Sequence, residues 1–200
     1  MESKKVFEFT YAEYPAMEPF KGLFMVLVSF IPHMIPLVVI SRYLTLKCNH
    51  HLFFFLGLVA SHELAKILKK IIRQPRPIGA PLSSYGMPSD HSQFVAFTAM
   101  YLIHVLITRP GLRKSALFLS TVLMCTMSIA VFYSRVYLNA HTTEQVVVGA
   151  ILGVVTGSLW YQMTQKVFLK WTRVTKFFDR LYDVVYDLFL GSERRNTKYR

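Results

Sequence analysis

Residues 22–40 are almost uninterruptedly apolar, and at about 1.5 Å of rise per helical residue such a run nearly crosses a hydrocarbon core of roughly 30 Å. Four more apolar runs follow at 52–68, 92–107, 115–132 and 146–161, separated by short polar connectors. The pattern predicts an all-α polytopic membrane helix bundle with five to six transmembrane helices, the first kinked at Pro32 or Pro36. Residues 1–21 contain Pro15 and Pro19, which argue against a helix there, and lack the basic start and small-residue exit of a cleavable signal. In the tail, 163–200, Phe177, Phe178, Leu181, Val185, Leu188 and Phe189 recur at helical spacing among Lys, Arg and Asp. This stretch reads as an amphipathic helix on the membrane surface, with a sixth span as the alternative. The whole of 1–200 is expected to be one integral-membrane domain, with the core spans in 22–162.

Two polar interruptions stand out against this pattern. Residues 69–91, KKIIRQPRPIGAPLSSYGMPSDH, separate the second and third runs, and residues 134–141, SRVYLNAH, follow the fourth. The third and fourth spans make a round trip, so both loops return to one side of the membrane. Glu63 and Lys66 lie inside the second run, where charge is costly unless paired or turned to a polar cavity. Their spacing suits an ion pair, the alternative being that Glu63 faces the loops and steadies Lys69. Gly149, Gly153 and Gly157 recur every four residues, which would let a neighbouring helix approach closely.

Composition sharpens this picture. The 200 residues are 53% hydrophobic with a formal charge of +12. The cations fall in loops, at span ends and in the tail, so no soluble basic face is available and nucleic-acid binding is excluded. Cys48 and Cys125 have neither metal-type spacing nor a disulfide framework. Arg42, Lys47, Arg109, Arg113, Lys114 and nine tail cations lie opposite the polar loops, fourteen against nine. By the positive-inside bias the tail is cytosolic and the loops face away, in a eukaryote toward the lumen of the endoplasmic reticulum, whose membrane is the expected location.

The loops hold the parts that phosphoryl transfer requires. Arg76 and Arg135 can bind phosphoryl oxygens as forks, and Lys69 as a point charge. Ser89 directly precedes the third span, where it is expected to act as an N-cap beside free backbone N–H groups. Of His91 and His141, one can attack phosphorus while the other protonates the leaving oxygen. Singly, each cation suits an interfacial anchor and each histidine a solvated loop residue; the combination carries the reading.

Lys69 with Arg76 and Pro77, then Pro88, Ser89 and His91 in PSDH, then Ser134, Arg135 and His141 resemble the three-part signature of the type 2 phosphatidic-acid phosphatase superfamily. The resemblance spans about residues 69–145. It implies a helical membrane bundle and metal-independent phosphatase chemistry without a cofactor. His141 would be the nucleophile that forms a phosphohistidine, His91 the general acid, and Lys69, Arg76, Ser89 and Arg135 the phosphate ligands.

Two positions depart from that signature. Asp90 stands where the superfamily usually has glycine, which brings a carboxylate near an anionic substrate. Gln145 stands four residues after His141, where most members carry aspartate. One helical turn away, it can still orient the nucleophile through Nδ1, but it supplies no negative charge. With YGMPSDHSQF, SRVYLNAHTTEQV and the N-terminal EYP, this glutamine is similar to one branch, the dolichyl-diphosphate phosphatases. That branch implies hydrolysis of a membrane-embedded polyprenyl diphosphate, dolichyl diphosphate to dolichyl phosphate plus phosphate, recycling the carrier for N-glycosylation. A broad lipid phosphate phosphatase and a non-catalytic lipid-binding relative are the alternatives.

Overall fold

The computed structural model describes residues 4–7, 12–15, 18–82, 84–168 and 172–190. Its helices are α1 (Pro19–Ser29), α2 (Ile31–Leu46), α3 (Asn49–Ile72), α4 (Asp90–Ile107), α5 (Lys114–Tyr137), α6 (Thr143–Met163) and α7 (Thr172–Leu190). A short hairpin precedes them, β1 (Lys4–Phe7) antiparallel to β2 (Ala12–Pro15), with Lys4 opposite Pro15. This hairpin is the one addition to the expected all-helical fold among the described residues.

The first run breaks between α1 and α2 at Phe30, two residues before Pro32, and not at Pro32 or Pro36. Pro32 sits in the first turn of α2, where a missing N–H costs nothing, while Pro36 lies inside the helix. Four helical stretches among the described residues are long and apolar enough to cross a membrane: Pro19–Leu46, Asn49–Ile72, Lys114–Tyr137 and Thr143–Lys166. Their outer faces expose Phe118, Leu119, Ile151 and Leu159, as lipid-facing surfaces do. Helix α4 is the fifth member of the bundle. Its 18 residues would reach about 27 Å, and the polar first turn of Asp90, His91, Ser92 and Gln93 lowers its apolarity.

Helix α4 is central because α6 lies directly against its backbone. A Cβ on Gly149 would stand 2.5 Å from the Ser89 carbonyl oxygen, on Gly153 2.2 Å from that of Gln93, and on Gly157 2.6 Å from that of Phe97. The glycine stripe and the 89, 93, 97 register of α4 are thus the two halves of one seam. Beyond it, Phe54, Leu58, Phe97, Tyr101 and Tyr161 form a buried, largely aromatic core that ties α3 to α4 and α6.

The chain ends of α3 and α5 and the starts of α4 and α6 share one end of the bundle. Helix α7 occupies the other end, and it is not among the four stretches apolar enough to cross. There Tyr182 donates to the Leu44 carbonyl at 2.7 Å, Asn49 donates to Asp179 at 3.0 Å, and Lys47 pairs with Asp183. Phe178 packs edge-on to Phe53, while Phe177 and Leu181 stay exposed. The side chains of Val185, Leu188 and Phe189, and residues 191–200, lie outside the described part.

Candidate active site

Both polar loops close over the start of α4. Helix α3 ends at Arg73 in a left-handed conformation, which turns the chain into the first loop. The second loop is bound to the first by Asn139, itself at positive φ, whose side-chain amide donates to the Ile78 carbonyl at 2.9 Å. Arg76 completes the junction, donating from Nη1 to the Ala140 carbonyl at 2.7 Å and from Nε to the Ser84 carbonyl at 3.0 Å.

At the centre is His141, 2% exposed. Its Nε2 lies 3.0 Å from Nη1 of Arg76, and its Nδ1 lies 3.2 Å from Oε1 of Gln145. These contacts fix the tautomer. Guanidinium nitrogens only donate, so Nε2 carries a lone pair and the proton sits on Nδ1. The orientation of Gln145 is fixed independently, because its Nε2 faces the Pro75 carbonyl at 2.8 Å and Oε1 of Gln74 at 3.1 Å. Its Oε1 also accepts from the Thr142 backbone N–H at 3.2 Å, while Thr142 Oγ1 accepts from the Gln145 N–H at 3.3 Å, forming a capping box at the start of α6. All four hydrogen-bonding positions of the Gln145 amide are therefore filled. A carboxylate here would meet the Pro75 carbonyl and Gln74 Oε1 oxygen to oxygen, so the surroundings suit glutamine.

Burial, reinforced by Arg76, Arg135 and Lys69 and opposed by the Gln145 hydrogen bond, lowers the His141 pKa from 6.5 to about 3. That low pKa favours an uncharged His141 imidazole at neutral pH. Burial also lowers the Arg76 pKa, against the opposing pull of Asp90.

The remaining expected residues gather here too. Ser89 is fully buried at the N-cap position of α4, but its side chain makes no cap bond. Instead its N–H donates to the Gln145 carbonyl at 3.0 Å, and its hydroxyl accepts from Ser92 at 3.1 Å. Arg135, in the last turn of α5, is buried with Nε unpartnered among the described residues. Such an orphaned donor suits an anion. Lys69, in the last turn of α3, meets Asp90 at 2.5 Å, and the other carboxylate oxygen of Asp90 is buried without a partner among the described residues. Glu63 pairs with Lys66 at 2.8 Å, so the steadying partner of Lys69 is Asp90.

His91 faces two ways. It lies close enough to His141, Arg135 and Lys69 to sense their charge, and it also lines a cavity of about 480 Å³ between α2, α3 and α4. The cavity is otherwise mostly apolar, with Pro32, Pro36, Phe55, Leu58, Val59 and Phe94 on its walls. Sequence reading missed His33, which meets the His91 ring edge-on with centroids 5.0 Å apart, as well as Gln74 and Ser84. A histidine inside an apolar run was the available signal for His33; nothing local marks Gln74.

The PAP2 superfamily profile matches residues 50–169. Dolichyldiphosphatase 1 of Dictyostelium discoideum is 36% identical over 171 residues, covering 80% of this chain and 72% of that protein. Lipid phosphate phosphatase gamma of Arabidopsis thaliana is 32% identical over 155 residues, covering 73% and 68%. The crystal structure of a transmembrane PAP2-type phosphatidylglycerolphosphate phosphatase from Bacillus subtilis superposes with a TM-score of 0.65 at 25% identity, covering 74% of this chain and 79% of that one.

Proposed function

The chain belongs to the PAP2 superfamily, and from that premise we propose that it hydrolyses a polyprenyl diphosphate, dolichyl diphosphate in the first place, to the monophosphate and orthophosphate. The carrying observation is the setting of His141: Nδ1 lies 3.2 Å from Gln145 Oε1 and Nε2 3.0 Å from Arg76 Nη1, contacts that suit a proton on Nδ1 and a lone pair at Nε2.

In the reaction, the terminal phosphate enters between Arg76, Arg135, Lys69 and Ser89 and takes the Arg76 Nη1 contact from His141. Nε2 then attacks the terminal phosphorus. The bond from phosphorus to the bridging oxygen breaks, and the departing polyprenyl phosphate takes a proton from His91, which enters the step as an imidazolium paired with the negative charge of the bound diphosphate. Water, giving its proton to His91, next attacks the phosphohistidine, releasing orthophosphate and restoring both histidines. The three cations stabilise charge on the equatorial oxygens, and Gln145 keeps the imidazole aligned as it becomes positive. No step requires a metal ion. The apolar cavity beside His91 accommodates the start of the lipid chain. With the cation-rich tail cytosolic, the reaction takes place on the lumenal face of the endoplasmic reticulum membrane and recycles the carrier for N-glycosylation.

Phosphate release by the purified, detergent-solubilised protein, with chelator present, tests the reading. A polyprenyl diphosphate is expected to be turned over well ahead of the monophosphate and a phosphatidate. A preference for phosphatidate would make the protein a broad lipid phosphate phosphatase, and no release from any of them would make it a lipid-binding relative.

A further inference from the structure

The cavity beside His91 carries more polarity than a lipid chain needs. His33 of α2, His62 of α3 and His91 of α4 all line it, in a wall otherwise dominated by Pro32, Pro36, Phe55, Leu58, Val59 and Phe94. His33 and His62 lie outside the three motifs. Both are exposed within stretches that cross the membrane, and among the described residues neither ring makes a hydrogen bond. A partnerless polar side chain at such a position is costly, and the cost is understandable where a polar ligand meets it. A metal ion is not that ligand, since no three His, Cys, Asp or Glu side chains among the described residues converge to hold one.

The position of His91 suggests what is. His91 lies close enough to His141, Arg135 and Lys69 to sense their charge, and its ring meets that of His33 edge-on with centroids 5.0 Å apart. A diphosphate whose terminal phosphate sits in the cradle must carry its second phosphate outward past His91, because the bridging oxygen is the atom His91 protonates. His33 and His62 line the cavity that His91 also lines. Asp90 is the only acid lining the cavity among the described residues, and its carboxylate is engaged by Lys69.

We infer that His33 and His62 form a second-phosphate subsite, donating ring N–H groups to the lipid-linked phosphate of a diphosphate and so distinguishing it from a monophosphate ester. The inference rests on the diphosphatase reading and deepens it. Histidine is suited to this place because a neutral ring still donates one hydrogen bond, whereas a lysine facing lipid would carry an uncompensated charge when the site is empty.

Calorimetric binding of two non-hydrolysed probes to the purified protein tests it without relying on turnover. Orthophosphate fills the cradle alone, and methylenediphosphonate fills the cradle and the subsite. The wild-type protein is expected to bind the diphosphonate at least about tenfold tighter, and the double substitution H33A/H62A to abolish that advantage while leaving orthophosphate affinity within about twofold. Equal weakening of both probes, or an unchanged diphosphonate advantage, overturns the subsite. H33N/H62N, which keeps a side-chain donor at each position, serves as the rescue arm. It should retain part of the advantage, and total loss in both double variants with orthophosphate binding also lost would mark a structural role instead. Turnover of polyprenyl diphosphate by the wild type checks the underlying reading separately: a phosphatidate-selective enzyme contradicts that reading, whereas an H33A/H62A protein that keeps its diphosphonate advantage contradicts only the subsite.

Discussion

The two sides of His91 are built by different rules. Toward α6, the Gln145 amide is fully hydrogen-bonded, the Arg76 guanidinium is shared among Ala140, Ser84 and His141, and three glycines press helix backbone against helix backbone. Toward α2 and α3, polar groups lack partners among the described residues: His33 and His62 face a mostly apolar cavity, and one oxygen of Asp90 is unpaired. The hydrogen-bonding positions of Gln145 are all filled where the proposed nucleophile must be held still, and polar capacity is left open where a substrate must enter and leave. A nucleophile gains from being held in one tautomer before the substrate arrives, and a binding wall gains from polar groups that only the substrate completes.

Removing the proposed nucleophile breaks this contrast most completely. Replacing His141 with alanine should reduce phosphate release at least about a thousandfold while the protein elutes and unfolds as the wild type does. Closing the seam is the next largest perturbation, because a side chain at Gly153 meets main chain at 2.2 Å. Gly153→Val should lower the thermal midpoint steeply or prevent folding, measured by detergent-based thermal unfolding. A sharper question is whether charge at position 145 would help. The carbonyl and amide oxygens of Pro75 and Gln74 argue that it would not, so Gln145→Glu should lower kcat by about 10- to 100-fold despite its negative charge. A gain in kcat would show that orientation matters less than charge.

Smaller effects belong to the open side. Asp90→Asn removes the carboxylate that holds Lys69 at 2.5 Å, and should strengthen inhibition by orthophosphate severalfold by freeing that ammonium. The smallest effect is one of pH. His141 has an ordinary pKa of 6.5, and about 3 when folded, so the unfolded chain takes up the proton first as pH falls. Its contribution to stability is present above about pH 6.5 and is lost progressively as pH falls toward 3. The thermal midpoint of the wild type should therefore decline more steeply over that range than that of H141A.

Much of the bundle could be read from hydrophobic runs, because a hydrocarbon solvent imposes a length and an apolarity on each span. The same reasoning brought the two loops to one end, as α3, α4, α5 and α6 do. The glycine stripe was readable as a close approach, but its partner was not, since any helix might have met it; α4 does. Ser89 stood where an N-cap is expected, yet a buried backbone acceptor on α6 and the Ser92 hydroxyl took its hydrogen bonds. Glu63 admitted two partners in sequence, and the helical neighbour Lys66 prevails over the more distant Lys69. His33 was hidden for a different reason: its meeting with His91 depends on the break at Phe30 and on the packing of α2, which spacing along the chain does not encode. The hairpin of β1 and β2 lay in a segment that offered prolines but no strand alternation strong enough to announce it.

The central claim, that His141 carries the phosphoryl group, is tested most directly by rapid quenching with polyprenyl diphosphate labelled in its terminal phosphate. The account predicts acid-labile, base-stable label on the protein within the first turnover, mapping to His141 and absent from H141A. Steady turnover with no protein-bound label at any quench time, or equal labelling of the H141A protein, would contradict it.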